Sequence, residues 1–479
     1  MRILSVDIGS TWTKGALFGT HRDGLRLLGR AQAPTTAHLP EAYYRVEREL
    51  LKPAVRQPSE APAKGRRTTP GMNPGSEAGD PDDLRVTWSS SAHGGLAVAA
   101  LGLVPDWTLA AARAAALSAG ARITGVYSYQ LTPRDLEHLN AEKPDILLFS
   151  GGTDGGNQHY VSHNARMLRG LTPETVIVYA GNRDAAAEVA DLLGDRPMVL
   201  AENVLPDLRE PAPESAREAI RGVFLDRIVE GKGLSELVAH TGSAPHPTPL
   251  AMLEYVRALG ETGRLGRFLC LDMGGATTDV YSHGEATSAE QAIASAGLPE
   301  PVTRRTVEGD LGMRVSAQAA AAAARPWVER LLAGRDLPIA GFDAWIQAVQ
   351  ADPARLPATP GELAFDDVLA SACVGAAASR HAGRIEIVYT AHGPTELRRG
   401  KDLRGFSSVV CTGGFLSRGG DVRPAFSIMP FDERGRIVCT PADARVLFDR
   451  DYLFPLLANA RFAAPEAAVN AGIGALQAQ

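Results

Sequence analysis

Apolar residues along this chain gather into short runs, and the runs alternate with stretches of helical spacing. The opening reads as strand, turn, strand: Ile3, Leu4 and Val6 lead into a polar turn at 7–11, and apolar character resumes at 16–18. Between Val86 and about Asn203, short apolar strands are predicted at 123–127, 146–149, 176–179 and 198–200, with helical segments between them. Two helices are predicted ahead of these, a Gly- and Ala-rich one at 94–103 and a longer one at 109–119. Such alternation predicts a parallel, Rossmann-like α/β unit. Residues 214–262 read as helices. Residues 268–282 repeat the opening grammar of strand, Asp, Gly-rich turn and strand. The stretch 315–381 reads as helical, and 385–389 and 407–411 read as strands, the second running toward a Gly pair.

Residues 53–82 break the pattern. Ten of those thirty positions are Pro or Gly and none is aromatic. Such a stretch buries too little apolar surface to offset its ordering entropy, so a flexible insertion is expected. The 479 residues exceed a single core, and two or three domains are expected. Composition adds mainly exclusions. A net charge of -6 offers no electrostatic reason for a nucleic-acid partner. Cys270, Cys373, Cys411 and Cys439 form no C-x-x-C pair, which argues for buried thiols in a reducing compartment. The apolar run before Asp7 is too short for a signal-peptide core, and no segment is long enough to span a bilayer. A cytoplasmic protein without a membrane partner is the expectation.

The candidate chemistry lies where apolar strands end. In D-I-G-S-T-W-T-K, residues 7–14, the Asp7 carboxylate closes a strand and Gly9 permits a tight turn with outward N–H groups. Ser10, Thr11 and Thr13 add hydroxyl donors, and Lys14 ends the motif. This is the composition of a phosphate cradle, and taken alone also that of a plain β-turn. A carboxylate there can hold Mg²⁺ through its waters, because Mg²⁺ dehydrates reluctantly. D-M-G-G-A-T-T-D, residues 272–279, duplicates the arrangement with Asp272, Gly274, Gly275, Thr277, Thr278 and a second carboxylate, Asp279. Two such hairpins can grip a triphosphate from opposite sides. V-V-C-T-G-G-F-L, residues 409–416, runs a strand into Gly413 and Gly414, which standing alone reads as a strand-to-helix turn and beside the other motifs as a place where a backbone can approach a flat ligand. V-E-G-D-L-G-M-R, residues 307–314, is a polar turn. Its Glu308, Gly309 and Asp310 either line a cleft, holding a Mg²⁺ water or the attacking water, or cap a helix beginning near Met313. The loop S-G-G-T-D-G-G-N, residues 150–157, follows a predicted strand at its carboxyl end. It reads either as a site for a small molecule or partner loop, or as a surface turn.

In this order the first three motifs resemble the phosphate-1, phosphate-2 and adenosine segments of the actin / sugar kinase / heat-shock-chaperone superfamily. P-T-P-L-A-M-L-E-Y, residues 247–255, resembles the hinge helix that precedes the second hairpin there. Where the chaperone pattern has an acidic residue before the proline, this chain has His246, which leaves the catalytic base open. V-D-I-G-S-T-W-T-K-G-A-L-F, the 150–157 loop, L-D-M-G-G-A-T-T-D-V-Y and R-T-V-E-G-D-L-G-M-R together resemble the accessory or reactivating protein family of adenosylcobalamin-dependent glutamate mutase. That family is distinct from the DNA mismatch-repair protein of similar name.

The resemblance implies an α/β, two-lobed actin-like ATPase with ribonuclease-H-like lobes and an inserted Rossmann-like domain. It divides the chain into 1–52, the start of the first lobe; 53–83, the insertion; 84–205, the inserted domain; 206–266, a helical return with the hinge helix; and 267–479, the second lobe. It implies ATP and Mg²⁺ as cofactors, with Asp7 and Asp272 toward the metal through water and Asp272, Asp7 and Glu308 catalytic. It further implies a chaperone-like role in reactivating a cobalamin-dependent mutase, whose subunits would be the partners. A small-molecule kinase and a non-catalytic, nucleotide-dependent scaffold are the alternatives. No D-x-H-x-x-G sequence occurs, so no tightly held cobalamin is expected.

Overall fold

The computed structural model describes the chain except residues 23, 53–82, 92–95, 231–232, 420–421 and 479. The insertion expected at 53–82 lies outside the described residues.

The strand Arg2–Ile8 is buried from Ile3 onward, with Ile3, Leu4, Val6 and Ile8 as its apolar positions and Ser5 and Asp7 buried among them. It pairs antiparallel with Trp12–His21, which pairs antiparallel with Gly24–Pro34. On its other side it runs parallel to Leu84–Ser90, and the short strand His246–Pro247 follows, also parallel. Counted in chain order, these strands lie 3-2-1-4-5. The second lobe repeats the order with Thr303–Glu308, Thr278–His283, Phe268–Met273, Ser408–Thr412 and Arg445–Asp449, and adds Leu476–Ala478 at the edge. The first three are antiparallel and the next two parallel, as in the first lobe. The repeat is the ribonuclease-H-like plan, and the α/β two-lobed fold is the expected one.

A third sheet is wholly parallel: Arg122–Ser128, Ala97–Gly102, Ile146–Phe149, Val176–Tyr179 and Met198–Leu200, in the order 2-1-3-4-5. The helix expected over 94–103 is instead the strand Ala97–Gly102. Its Val98 and Ala100 join one core with Ile146 and Leu148, while Ala99 and Leu101 join another with Leu147 and Phe149. Burial on both faces outweighs the helix preference of alanine, which is only a few tenths of a kcal/mol per residue.

Two domain boundaries move. Leu84–Ser90 belongs to the first lobe's sheet, so the inserted sheet begins at Ala97 rather than near residue 84. The helices Phe454–Ala460 and Pro465–Ala475, assigned above to the second lobe, return to the first. There Asn459 Nδ2 donates to Val6 O at 3.0 Å and Ser5 Oγ donates to Leu456 O at 2.6 Å. A further small sheet, Ala294–Ala296, Gly393–Arg399, Arg384–Thr390 and Ile437–Val438, decorates the second lobe.

The helix Thr248–Glu261 lies between the lobes. Its Tyr255, Val256 and Leu259 share a core with Ile3 and Phe18 of the first lobe and Phe268 and Val410 of the second. All four cysteines are buried and free. Among the described residues, no helix is long and apolar enough to cross a membrane.

Candidate functional site

The two hairpins are built alike. Asp7 stands opposite Lys14 in register, and Asp272 stands opposite Asp279. Gly9 N–H donates to Trp12 O at 3.1 Å, and Gly274 N–H donates to Thr277 O at 2.9 Å. A Cβ on Gly9 would sit 2.8 Å from Trp12 O, closer than real contacts, so this turn requires glycine.

Asp7 is buried and accepts from Ser89 Oγ at 2.9 Å and Thr248 Oγ1 at 2.7 Å. Burial raises its pKa against the pull of Thr248, Lys14 and Ser89. Lys14 lies within the field of both strand-end carboxylates. Burial lowers its pKa, and Asp7 and Asp272 oppose that shift. Its ammonium stands 3.6 Å from the centroid of the Tyr452 ring. Burial, Asp279, Asp7 and Asp449 push Asp272 up to about 7, against the pull of Lys14. Asp449, at the end of Arg445–Asp449, accepts from Thr412 Oγ1 at 2.8 Å and from the N–H groups of Leu453 and Phe454. Tyr452, at φ 51°, closes the turn that follows.

The remaining expected residues are placed unequally. Ser10 and Thr11 are exposed at the first turn. Thr13 and Thr278 are buried: Thr13 Oγ1 lies 3.0 Å from Thr35 Oγ1, and Thr278 Oγ1 donates to Leu311 O at 2.6 Å. Their hydroxyls serve the lobe interiors and not the turn, because side chains alternate across a strand. Thr277 is half-buried and Gly274 is exposed. The carbonyl of Gly275 accepts from Arg314 N at 2.8 Å, so the segment around Met313 backs the second turn. Asp279 holds a 2.6 Å bridge to Arg305.

Glu308 and Asp310 share Arg380, at 2.9 Å and 2.6 Å. Burial raises Glu308, and Arg380 chiefly lowers Asp310. Neither carboxylate caps a helix, since the next one, Ala317–Ala323, starts beyond Ser316 without a side-chain cap. A Cβ added to the intervening Gly309 would lie 3.9 Å from Arg122 Cδ of the inserted domain. Gly413, at φ 107°, leaves no room for a Cβ, which would overlap Met273 O, whereas Gly414 is exposed with open space at that position. His246 stacks on Phe462 at 3.7 Å and 4°. Burial, Arg221 and Arg461 lower its pKa to about 4, and its charged neighbours are these arginines rather than the cleft carboxylates.

The sequence reading missed Ser89, Thr248, Asp449 and Tyr452. Asp449 carried a legible signal, an apolar strand ending in Asp as at Asp7 and Asp272. Among the described residues, no three His, Cys, Asp or Glu side chains gather as a metal site. Asp7 and Asp272 instead offer hard carboxylate oxygens that repel one another, a donor set suited to Mg²⁺ when phosphates and water complete its shell.

Comparison with known proteins adds the family. The profile described as MutL protein matches residues 3–472. Protein MutL of Clostridium tetanomorphum is 36% identical over 371 residues, which span 76% of this chain and 80% of that protein. Among solved structures, a nucleotide-free acetone carboxylase aligns at 14% identity over 96% of this chain and 70% of that one, with a TM-score of 0.38. Gluconate kinase from Lactobacillus acidophilus aligns at 10% identity over 100% of this chain and 92% of that one, with a TM-score of 0.33. The chain thus belongs to the MutL protein family, the glutamate mutase accessory family that its motifs resemble.

Proposed function

We propose that this protein binds and hydrolyses Mg-ATP between the Asp7 and Asp272 hairpins. The cycle would serve to reactivate or assemble an adenosylcobalamin-dependent mutase of the glutamate mutase type in the cytoplasm. The observation that carries the reading is one lysine, Lys14, within the field of two strand-end carboxylates from different lobes. Mg²⁺, when bound, would supply the positive charge that offsets carboxylates and phosphates together. The exposed Ser10 and Thr11 hydroxyls and the Lys14 ammonium suit phosphate oxygens. Asp272 can hold or release a proton near neutrality as the charge around it changes. Asp7 is already engaged by Ser89 and Thr248, which fixes its orientation. Membership of the family supports a mutase as the client.

Isothermal titration should give saturable ATP binding that EDTA weakens, and ATP should turn over without any acceptor, unlike in a kinase. Absence of binding at millimolar ATP would remove the reading. Affinity purification from the native host with ATP present should bring down a cobalamin-dependent mutase subunit.

A further inference from the structure

A cavity of about 1160 Å³ lies between the inserted domain and the second lobe, and neither Asp7 nor Asp272 lines it. One wall is the helix Ala110–Ser118, and the other is the strand Thr303–Glu308 with the segment before it.

The walls are fastened to each other. Arg305, only 5% exposed, donates through Nη1 to Leu117 O at 2.9 Å and Ala121 O at 3.0 Å, at the carboxyl end of that helix. A cation is favoured there by the free carbonyls. Arg399 approaches Asp106 at 3.9 Å across the mouth. The space is therefore preformed rather than a loose gap.

Its lining mixes arginines with acids, and most of the arginines are paired. Arg113 makes no hydrogen bond or ion pair among the described residues, and its principal charged neighbour is a second guanidinium, Arg304. Arg304 is tied to Glu300 at 3.0 Å. Glu308, the acid nearest in effect to Arg113, is bonded to Arg380. At another part of the lining, Glu261 and Glu285 act on His283. Leu117, Leu253, Leu298 and Val302 supply apolar surface between. Arg113 and Arg304 line the same cavity, and two guanidiniums there, one of them without a hydrogen bond or ion pair among the described residues, suit an oxyanion.

We propose that this cavity is a second ligand site, for a small-molecule oxyanion whose carboxylate or phosphate sits between Arg113 and Arg304 while its apolar body lies along Leu117, Leu298 and Val302. The site is separate from the ATP reading.

The test titrates succinate and inorganic phosphate, each alone, into the full chain at low ionic strength by calorimetry. Saturable binding of either probe is expected, and the probe that binds identifies the anion class. Arg113→Ala should weaken it about tenfold or more, since a hydrogen bond to a charged group is lost. Arg113→Lys should lose less, and Lys14→Ala, which alters the other cleft, should leave binding within about twofold. ATP affinity should be unchanged in Arg113→Ala. No saturable binding of either probe at millimolar concentration overturns the proposal. So does binding that survives Arg113→Ala and vanishes in Lys14→Ala, which assigns the anion to the nucleotide cleft.

Discussion

Asp7 and Asp272 are the same residue at the same point of two matching hairpins, yet their surroundings divide the work. Asp7 accepts two hydroxyl donors, whereas the Asp272 carboxylate accepts none among the described residues and is pushed up to about 7. Under the proposed function, Asp272 is the carboxylate left to act in the chemical step. Asp272→Asn should lower ATP turnover by ~10²–10³ while changing ATP affinity far less, because electrostatic stabilisation acts in the chemical step. Equal losses in both quantities would mean that the residue only binds. His246 gives a separate test. Its ordinary pKa of 6.5 falls to about 4 in the fold, so the unfolded chain takes up a proton first as pH drops. Stability is then lost between pH 6.5 and about 4. His246→Phe keeps a ring against Phe462 and removes the titration. Urea unfolding across that window should show the variant losing about 2 kcal/mol less than the parent, and superimposable acid limbs would contradict the assignment.

Among the elements, the strand Thr303–Glu308 has more than one duty. It extends the second lobe's sheet, and its Arg305 reaches both Asp279 of the second hairpin and the last turn of helix Ala110–Ser118. Replacing Arg305 with Met leaves a carboxylate and two carbonyls without their shared donor. A loss of about 3 kcal/mol is expected in denaturant unfolding. Hydrogen exchange should rise first in helix Ala110–Ser118, because the lost bonds tie the end of that helix to the lobe. A uniform rise across the chain would instead make Arg305 an ordinary core residue. Gly413 is a smaller case of the same dependence on neighbours. Its φ of 107° and the overlap a Cβ would have with Met273 O predict that Gly413→Ala costs about 1–3 kcal/mol.

For the whole molecule, the hairpins come from different lobes and the helix Thr248–Glu261 is packed against both. A ligand touching both hairpins binds the closed arrangement better and shifts the population toward it. A tenfold preference supplies only ~1.4 kcal/mol, enough to bias the lobes and not to lock them. Small-angle scattering should therefore show a smaller radius of gyration with a non-hydrolysable ATP analogue. An unchanged radius at proven saturation would favour the scaffold reading over a remodelling machine.

What the sequence determined by itself was local. A strand ending in Asp followed by a Gly turn is written in adjacent residues, so both hairpins and the strands Ile146–Phe149 and Val176–Tyr179 were legible. Ala97–Gly102 was misread because an Ala-rich run serves a helix or a doubly covered strand equally well, and only the layers on either side decide. The partners of Asp7 stand 82 and 241 residues away in the chain, and no local pattern announces them. The return of Phe454–Ala460 to the first lobe, the inward turn of Thr13 and Thr278, and the placing of Arg113 and Arg304 on one cavity were likewise decided by tertiary packing. Such contacts depend on which surfaces can be buried together once the strands are ordered, and that is a property of the assembled sheets rather than of any one segment.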